Sequence, residues 1–135
     1  MENEPKTNGK RNRTAGLNWE RLLAKTLREL GYKHIVTTRS ESRTRDAQKI
    51  DLINKNEREN GRFPLNIQAK TTNTHLPYAK LLAEMPVGPE YNVIFHKMTK
   101  KTEVNFITTG TYAILQLDDF LYMFNYIYKY ETSNN

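Results

Sequence analysis

The chain is predicted to be an α/β domain, with a central mixed β-sheet of about five strands flanked by helices. Three observations carry that expectation. A helical apolar period runs through "LNWERLLAKTLRELGY". Alternating or short apolar runs recur in "KHIVTT", "KIDLI", "PLNIQAK", "YNVIFHK" and "EVNFIT". A second long helical pattern, "LDDFLYMFNYIYKY", comes last. The order helix, three strands, helix, two strands, helix is that of a mixed sheet.

Each element has its own justification. Residues 1–15, "MENEPKTNGKRNRTA", lack apolar periodicity and predict a flexible basic arm ahead of a single domain over 16–135. In the first helix Asn18 is the expected N-cap and Gly31 the stop. At about 100° per residue Trp19, Leu22, Leu23, Leu27 and Leu30 form one face, with Glu20 on its border. "RSESRTRDAQK" is expected to be a polar loop, and "KIDLI" a short strand holding Asp51 within it. "KIDLI" and "RFPLNIQAK" are expected to pair as a hairpin across the turn material "NKNERENG". "LPYAKLLAEM" is a short helix ended by Pro86. "YNVIFHK" and "EVNFIT" make a hairpin around "MTKKT", and Asp118 is the expected cap of the last helix.

Charge is distributed unevenly. Residues 1–45 hold 11 Lys or Arg against 5 Asp or Glu, whereas residues 46–135 hold 10 of each, so the whole net charge of +6 lies in the first third. That asymmetry points to a polyanionic partner, with Lys10, Arg11, Arg13, Arg39, Arg43 and Arg45 as phosphate-binding candidates. The absence of cysteine excludes disulfides, thiolate zinc sites and a cysteine nucleophile. With no long apolar run and a polar start, the expectation is a soluble cytoplasmic protein without a membrane partner. His34, His75 and His96 have no metal-like spacing and are expected at the surface or in loops.

Three anomalies suggest chemistry. Asp51 sits among Ile50, Leu52 and Ile53, where an ionised carboxylate needs a partner or a cation. Gln68 and Lys70 share one face of the next strand, and Glu20 borders the helix that must pack on that sheet. Glu20 and Asp51 supply hard oxygens suited to Mg2+ or Mn2+, Gln68 an amide oxygen, and Lys70 a charge for an attacking water or a phosphate oxygen. The reaction implied is phosphodiester hydrolysis, with no organic cofactor.

A Glu in the first helix, then "KIDLI", a short gap and "NIQAK", resembles the PD-(D/E)XK nuclease superfamily. Within it, "WERLLAKTLRELGY…VTTRSES…KIDLI…NIQAK" is similar to Holliday junction resolvases of the archaeal and phage type. The resemblance covers roughly residues 10–75 with motifs and the remainder by element order. It implies a restriction-endonuclease-like core and a homodimer acting on branched DNA. It implies catalytic roles at Glu20, Asp51, Gln68 and Lys70, metal ligation by the first three, and phosphate contact near Arg39 and Ser40. A phage gene expressed in a bacterial cytoplasm would suit the compact length. The departure is Gln68, where most members carry Glu. The Q-x-K form also occurs in Mrr-like restriction nucleases, so two alternatives stand beside junction resolution: an Mrr-like nuclease, or a non-catalytic DNA-binding or virion protein that keeps the fold.

Overall fold

The computed structural model describes the backbone of residues 4–41 and 43–133 and the side chains of residues 13–39 and 44–133. Five strands form one sheet in the order β1-β2-β3-β4-β5: β1 (Ile35–Thr37), β2 (Leu52–Asn54), β3 (Leu65–Thr72), β4 (Tyr91–Lys101) and β5 (Phe106–Ile114). All neighbours are antiparallel except β3 and β4, which are parallel. A parallel pair needs a crossover, and the short helix α5 (Tyr78–Ala83) lies in it. The expected α/β class, mixed sheet and order of long elements are all observed.

Helix α1 (Glu4–Glu29) packs on one sheet face. Ala24 and Leu27 close over Ile35, Leu52, Ile67 and Val93, with Leu23, Leu65 and Phe95 around them. Trp19 adds a long-range tie, its indole N–H donating to the Phe95 carbonyl at 2.9 Å. The opposite face carries Ile94 beneath Leu76, Leu82 and Met85. Strand alternation is thus used on both sides, as a sheet covered on two faces requires.

The helix ends where expected. Gly31 takes φ 114°, and the Tyr32 N–H reaches back to the Leu27 carbonyl at 3.0 Å, a left-handed stop that favours glycine. Its start differs. The backbone is helical from Glu4, so residues 4–15 belong to α1 and Asn18 lies inside it. Pro5 in the first turn is compatible with that start, because a first-turn N–H has no partner to lose. The buried face is also rotated from the expected one. Leu22 and Leu30 are exposed, whereas Trp19, Glu20, Ala24 and Leu27 point inward, Ala24 allowing close approach to the sheet.

Smaller differences follow from local turns. The arginine-rich segment folds into α2 (Thr38–Glu41) and α3 (Arg43–Ala47), and α4 (Glu57–Asn60) occupies the loop between β2 and β3. The β4–β5 turn falls at Thr102–Asn105, where the Thr102 hydroxyl donates to Asn105 Oδ1 at 2.9 Å. "MTKK" therefore continues the strand, with a register irregularity at Met98/Thr99. The last helix, α6 (Leu117–Ser133), starts one residue before Asp118, which therefore lies in the first turn. Among the described residues no helix is long and apolar enough to cross a membrane.

Candidate active site

The polar face of β3 is buried, contrary to what a plain edge strand would show. Asn66 and Gln68 are 2% and 3% exposed, and Lys70 is half-buried. Asn66 is satisfied by Asn92, its amide donating to Asn92 Oδ1 at 2.9 Å. Gln68 is not: its Oε1 is buried and has no hydrogen-bond partner among the described residues. A buried acceptor left unmet costs about 1–3 kcal/mol, so such an atom in a folded site calls for a function or an unseen ligand.

Asp51 stands beside it. Leu52 pairs with Ile67 in antiparallel register, which brings Asp51 alongside β3 next to Gln68. Asp51 lies just before β2 rather than within it, yet its N–H donates to the Ile67 carbonyl at 2.7 Å. Because β2 diverges from β3 there, the Ala69 N–H has no strand partner and instead donates to the Asp51 carboxylate at 2.7 Å. Burial pushes the Asp51 carboxyl up to about 6. The Ala69 hydrogen bond opposes that shift, Glu20 and Asp46 add to it by repulsion, and Lys70 opposes it by attraction. Glu20 and Lys70 are therefore within electrostatic reach of Asp51.

Glu20 is more enclosed than its expected border position. It is 2% exposed and gripped by a fork: Arg39 Nε donates to Oε1 and Oε2 at 3.0 and 3.1 Å, and Arg39 Nη2 lies 2.9 Å from Oε2. The pair holds the guanidinium pKa above its usual value, chiefly through the hydrogen bond to Glu20, with smaller contributions from the Asp51 and Asp46 charges. The Arg39 side chain is 49% exposed, so one residue joins the buried carboxylate to solvent.

The other phosphate-binding candidates are placed differently. Arg13 is exposed on α1. Arg45 turns inward and pairs with Glu57 at 3.4 Å, bracing α3 against α4. The side chains of Lys10, Arg11, Ser40 and Arg43 lie outside the described residues.

Three contributions were not evident from the pattern. Thr38 is fully buried and donates to the Ile50 carbonyl at 2.8 Å, and its N–H donates to the Asp51 carbonyl at 2.9 Å, which pins the chain on both sides of Asp51. Arg39 serves Glu20; a glutamate on an apolar helix face is itself the signal that a cation must meet it. His96, expected at the surface or in a loop, is a buried β4 residue in register with Lys70. Its Nε2 lies 2.7 Å from the Thr72 hydroxyl, and burial lowers its pKa.

Among the described residues no group of three or more His, Cys, Asp or Glu forms a metal cluster. Glu20 lies within electrostatic reach of Asp51, and Gln68 immediately precedes the Ala69 whose N–H holds the Asp51 carboxylate, so the oxygens of this region are two carboxylates and an amide. These are hard ligands that fit Mg2+ or Mn2+, and the orphaned Gln68 Oε1 is the position such an ion would satisfy. No family model matches the chain, and no curated protein or solved structure matches it either.

Proposed function

We propose that this chain is a metal-dependent DNA endonuclease of the PD-(D/E)XK type, a homodimer that cleaves four-way junctions. The observation that carries the proposal is the unpartnered, buried Gln68 oxygen beside Asp51, with Glu20 and Lys70 in electrostatic reach. Glu20, Asp51 and Gln68 would hold the cation, which would supply Lewis-acid stabilisation of charge at the scissile phosphate. Lys70, half-buried on the Gln68 face, orients the attacking water and offsets charge gathering on a phosphate oxygen. Asp51 is held in place by the Ala69 N–H and is ionised above about pH 6. The basic first third binds backbone phosphates, so affinity falls steeply with salt. Two copies related by a two-fold axis suit a junction that must be cut symmetrically.

One observation favours a second reading, a non-catalytic DNA-binding protein on the same fold: Arg39 occupies both oxygens of Glu20. The deciding experiment offers purified protein, with Mg2+ or Mn2+, a labelled four-way junction, a linear duplex and a single strand. Paired nicks confined to the junction and lost in Lys70→Ala support resolution. Cutting of plain duplex moves the assignment to Mrr-like restriction. Binding without cleavage, unchanged by Lys70→Ala, leaves the second reading.

A further inference from the structure

Strands β4 and β5 run on past the rest of the sheet. Thr72, the last residue of β3, pairs with Met98, so from Thr99 to Lys101 the strand β4 is laddered with β5 alone. The result is a two-stranded ribbon closed by the turn at Thr102–Asn105. Hydrogen bonds fix that turn: the Thr102 N–H donates to the Asn105 carbonyl at 2.7 Å, and the Thr102 hydroxyl accepts the Asn105 N–H at 3.1 Å. Lys100, Lys101 and residues 103–109 are all exposed, so the chain covers neither face of the ribbon, and Val104 at its tip is 90% exposed. In the antiparallel register Lys101 lies opposite Phe106 and Lys100 opposite Ile107, so each face carries a cation beside a large apolar side chain.

We infer that this ribbon is a second DNA-binding element, which enters a groove of the duplex with Lys100 and Lys101 on the flanking phosphates and Val104 against the base edges. The inference rests on the DNA-binding part of the proposed function and assigns residues outside the basic first third. Composition selects the occupant. A protein partner would have to bury Phe106 and Ile107 together with the lysine beside each, and lysine is depleted from the cores of such interfaces. A duplex groove is walled by phosphates and floored by bases, so it takes the lysines and the apolar tip at once. The ~12 Å major groove admits a two-stranded ribbon. Glu103, the one acidic residue between Thr99 and Thr108, agrees with entry into the groove: it would repel a phosphate but can accept a hydrogen bond from a cytosine amino group on the groove floor. The ribbon also lies within reach of the candidate site. His96 is in register with Lys70, and Met98 stays on that face, its sulfur 3.8 Å from the Thr72 hydroxyl. The register irregularity leaves the extra residue, Thr109, on β5, so alternation along β4 continues and Lys100 shares the face of Lys70. Four residues at about 3.3 Å each put Lys100 ~13 Å beyond the level of Lys70, close to one groove width from a phosphate held there.

The test is DNA binding by fluorescence anisotropy in chelator, where nothing is cut, with a labelled four-way junction and a labelled linear duplex between roughly 50 and 200 mM KCl. Each lysine–phosphate contact contributes about 0.9 to the slope of log affinity against log salt. Lys100→Ala combined with Lys101→Ala should therefore flatten that slope by about 1.8, so that across the range the parent's affinity falls roughly tenfold further than the variant's. Lys80→Ala combined with Lys129→Ala removes the same charge from α5 and α6 and should leave the slope unchanged. Val104→Ser should weaken binding roughly threefold to tenfold with the slope unaltered, because it removes an apolar contact and no charge. All five positions are exposed, so every variant should keep the parent's circular dichroism and melting. A parent that binds neither DNA overturns the inference together with the DNA reading. A ribbon double variant with a slope no flatter than its control overturns the inference alone. So does indifference to Val104→Ser, which would put the ribbon on the backbone and not in a groove. The expected binding by a protein that cuts nothing keeps the ribbon and removes the nuclease.

Discussion

Replacing Asp51 by Asn should stabilise the metal-free protein at neutral pH and leave it unchanged in acid. The Asp51 carboxyl titrates near 6 in the folded chain against 3.8 when unperturbed. Its folded state thus binds the proton more tightly than the unfolded state, and stability falls as pH rises between those two values. A shift of about two units corresponds to roughly 3 kcal/mol, fully expressed above pH 6 and absent below about pH 4. Asn keeps an oxygen for the Ala69 N–H and carries no charge. In chelator, Asp51→Asn should therefore exceed the parent by up to about 3 kcal/mol at pH 8, a rise in Tm on the order of 10 °C for a domain of this size. Thermal and urea melts of both proteins from pH 4 to pH 8 measure it, and the difference between the two curves cancels every other titrating group. Parallel stability curves would refute the reasoning, because they would show that burial does not disfavour the Asp51 charge.

Arg39→Ala should destabilise the fold by roughly 1–3 kcal/mol, since it leaves Glu20 buried without its cation; the half-exposure of Arg39 keeps the figure at the low end for such pairs. Adding Glu20→Gln should recover part of that loss in a denaturant series, whereas additive losses would show the fork to be weak. Trp19→Phe removes the hydrogen bond to the Phe95 carbonyl together with part of a buried ring, and should lower the urea midpoint by the equivalent of about 1–2 kcal/mol. Ile67→Ala, at a fully buried position between α1 and the sheet, should lose about 2–5 kcal/mol by equilibrium unfolding.

Element order was legible because period-two and helical patterns persist wherever a face must be buried. Asp51 stood out because a carboxylate interrupts an apolar run, and Gln68 and Lys70 because they share the polar face of the next strand. What the pattern did not reveal depends on tertiary partners. The inward face of α1 is rotated because Ala24, a weak hydrophobe, is the residue small enough to touch the sheet, which draws Glu20 in with it. Nothing local distinguishes Arg39, which holds that glutamate, from the neighbouring arginines. Residues 4–15 carry no apolar stripe, so the extension of α1 through them leaves no periodic signature. His96 reads as an isolated polar residue in "VIFHK" until β3 is laid beside it and Thr72 comes within hydrogen-bond distance.

On the nuclease reading, the glutamine at position 68 makes physical sense in a site that must fold before any cation arrives. Glu20, Asp51 and the nearby Asp46 bring three negative charges against the two positive ones of Arg39 and Lys70, so the cluster already carries an excess of negative charge. A glutamate in place of Gln68, at 3% exposure and one residue from the Ala69 that holds a carboxylate already pushed up to about 6, would add an unbalanced buried charge or take up a proton. The amide offers an oxygen without that charge. On the nuclease reading, this trades cation affinity for a site preformed in the metal-free state. Gln68→Glu should then tighten Mn2+ binding in a calorimetric titration while lowering stability in chelator, most strongly above pH 6. If the variant binds the ion no better than the parent, the orphaned oxygen does not face a metal position.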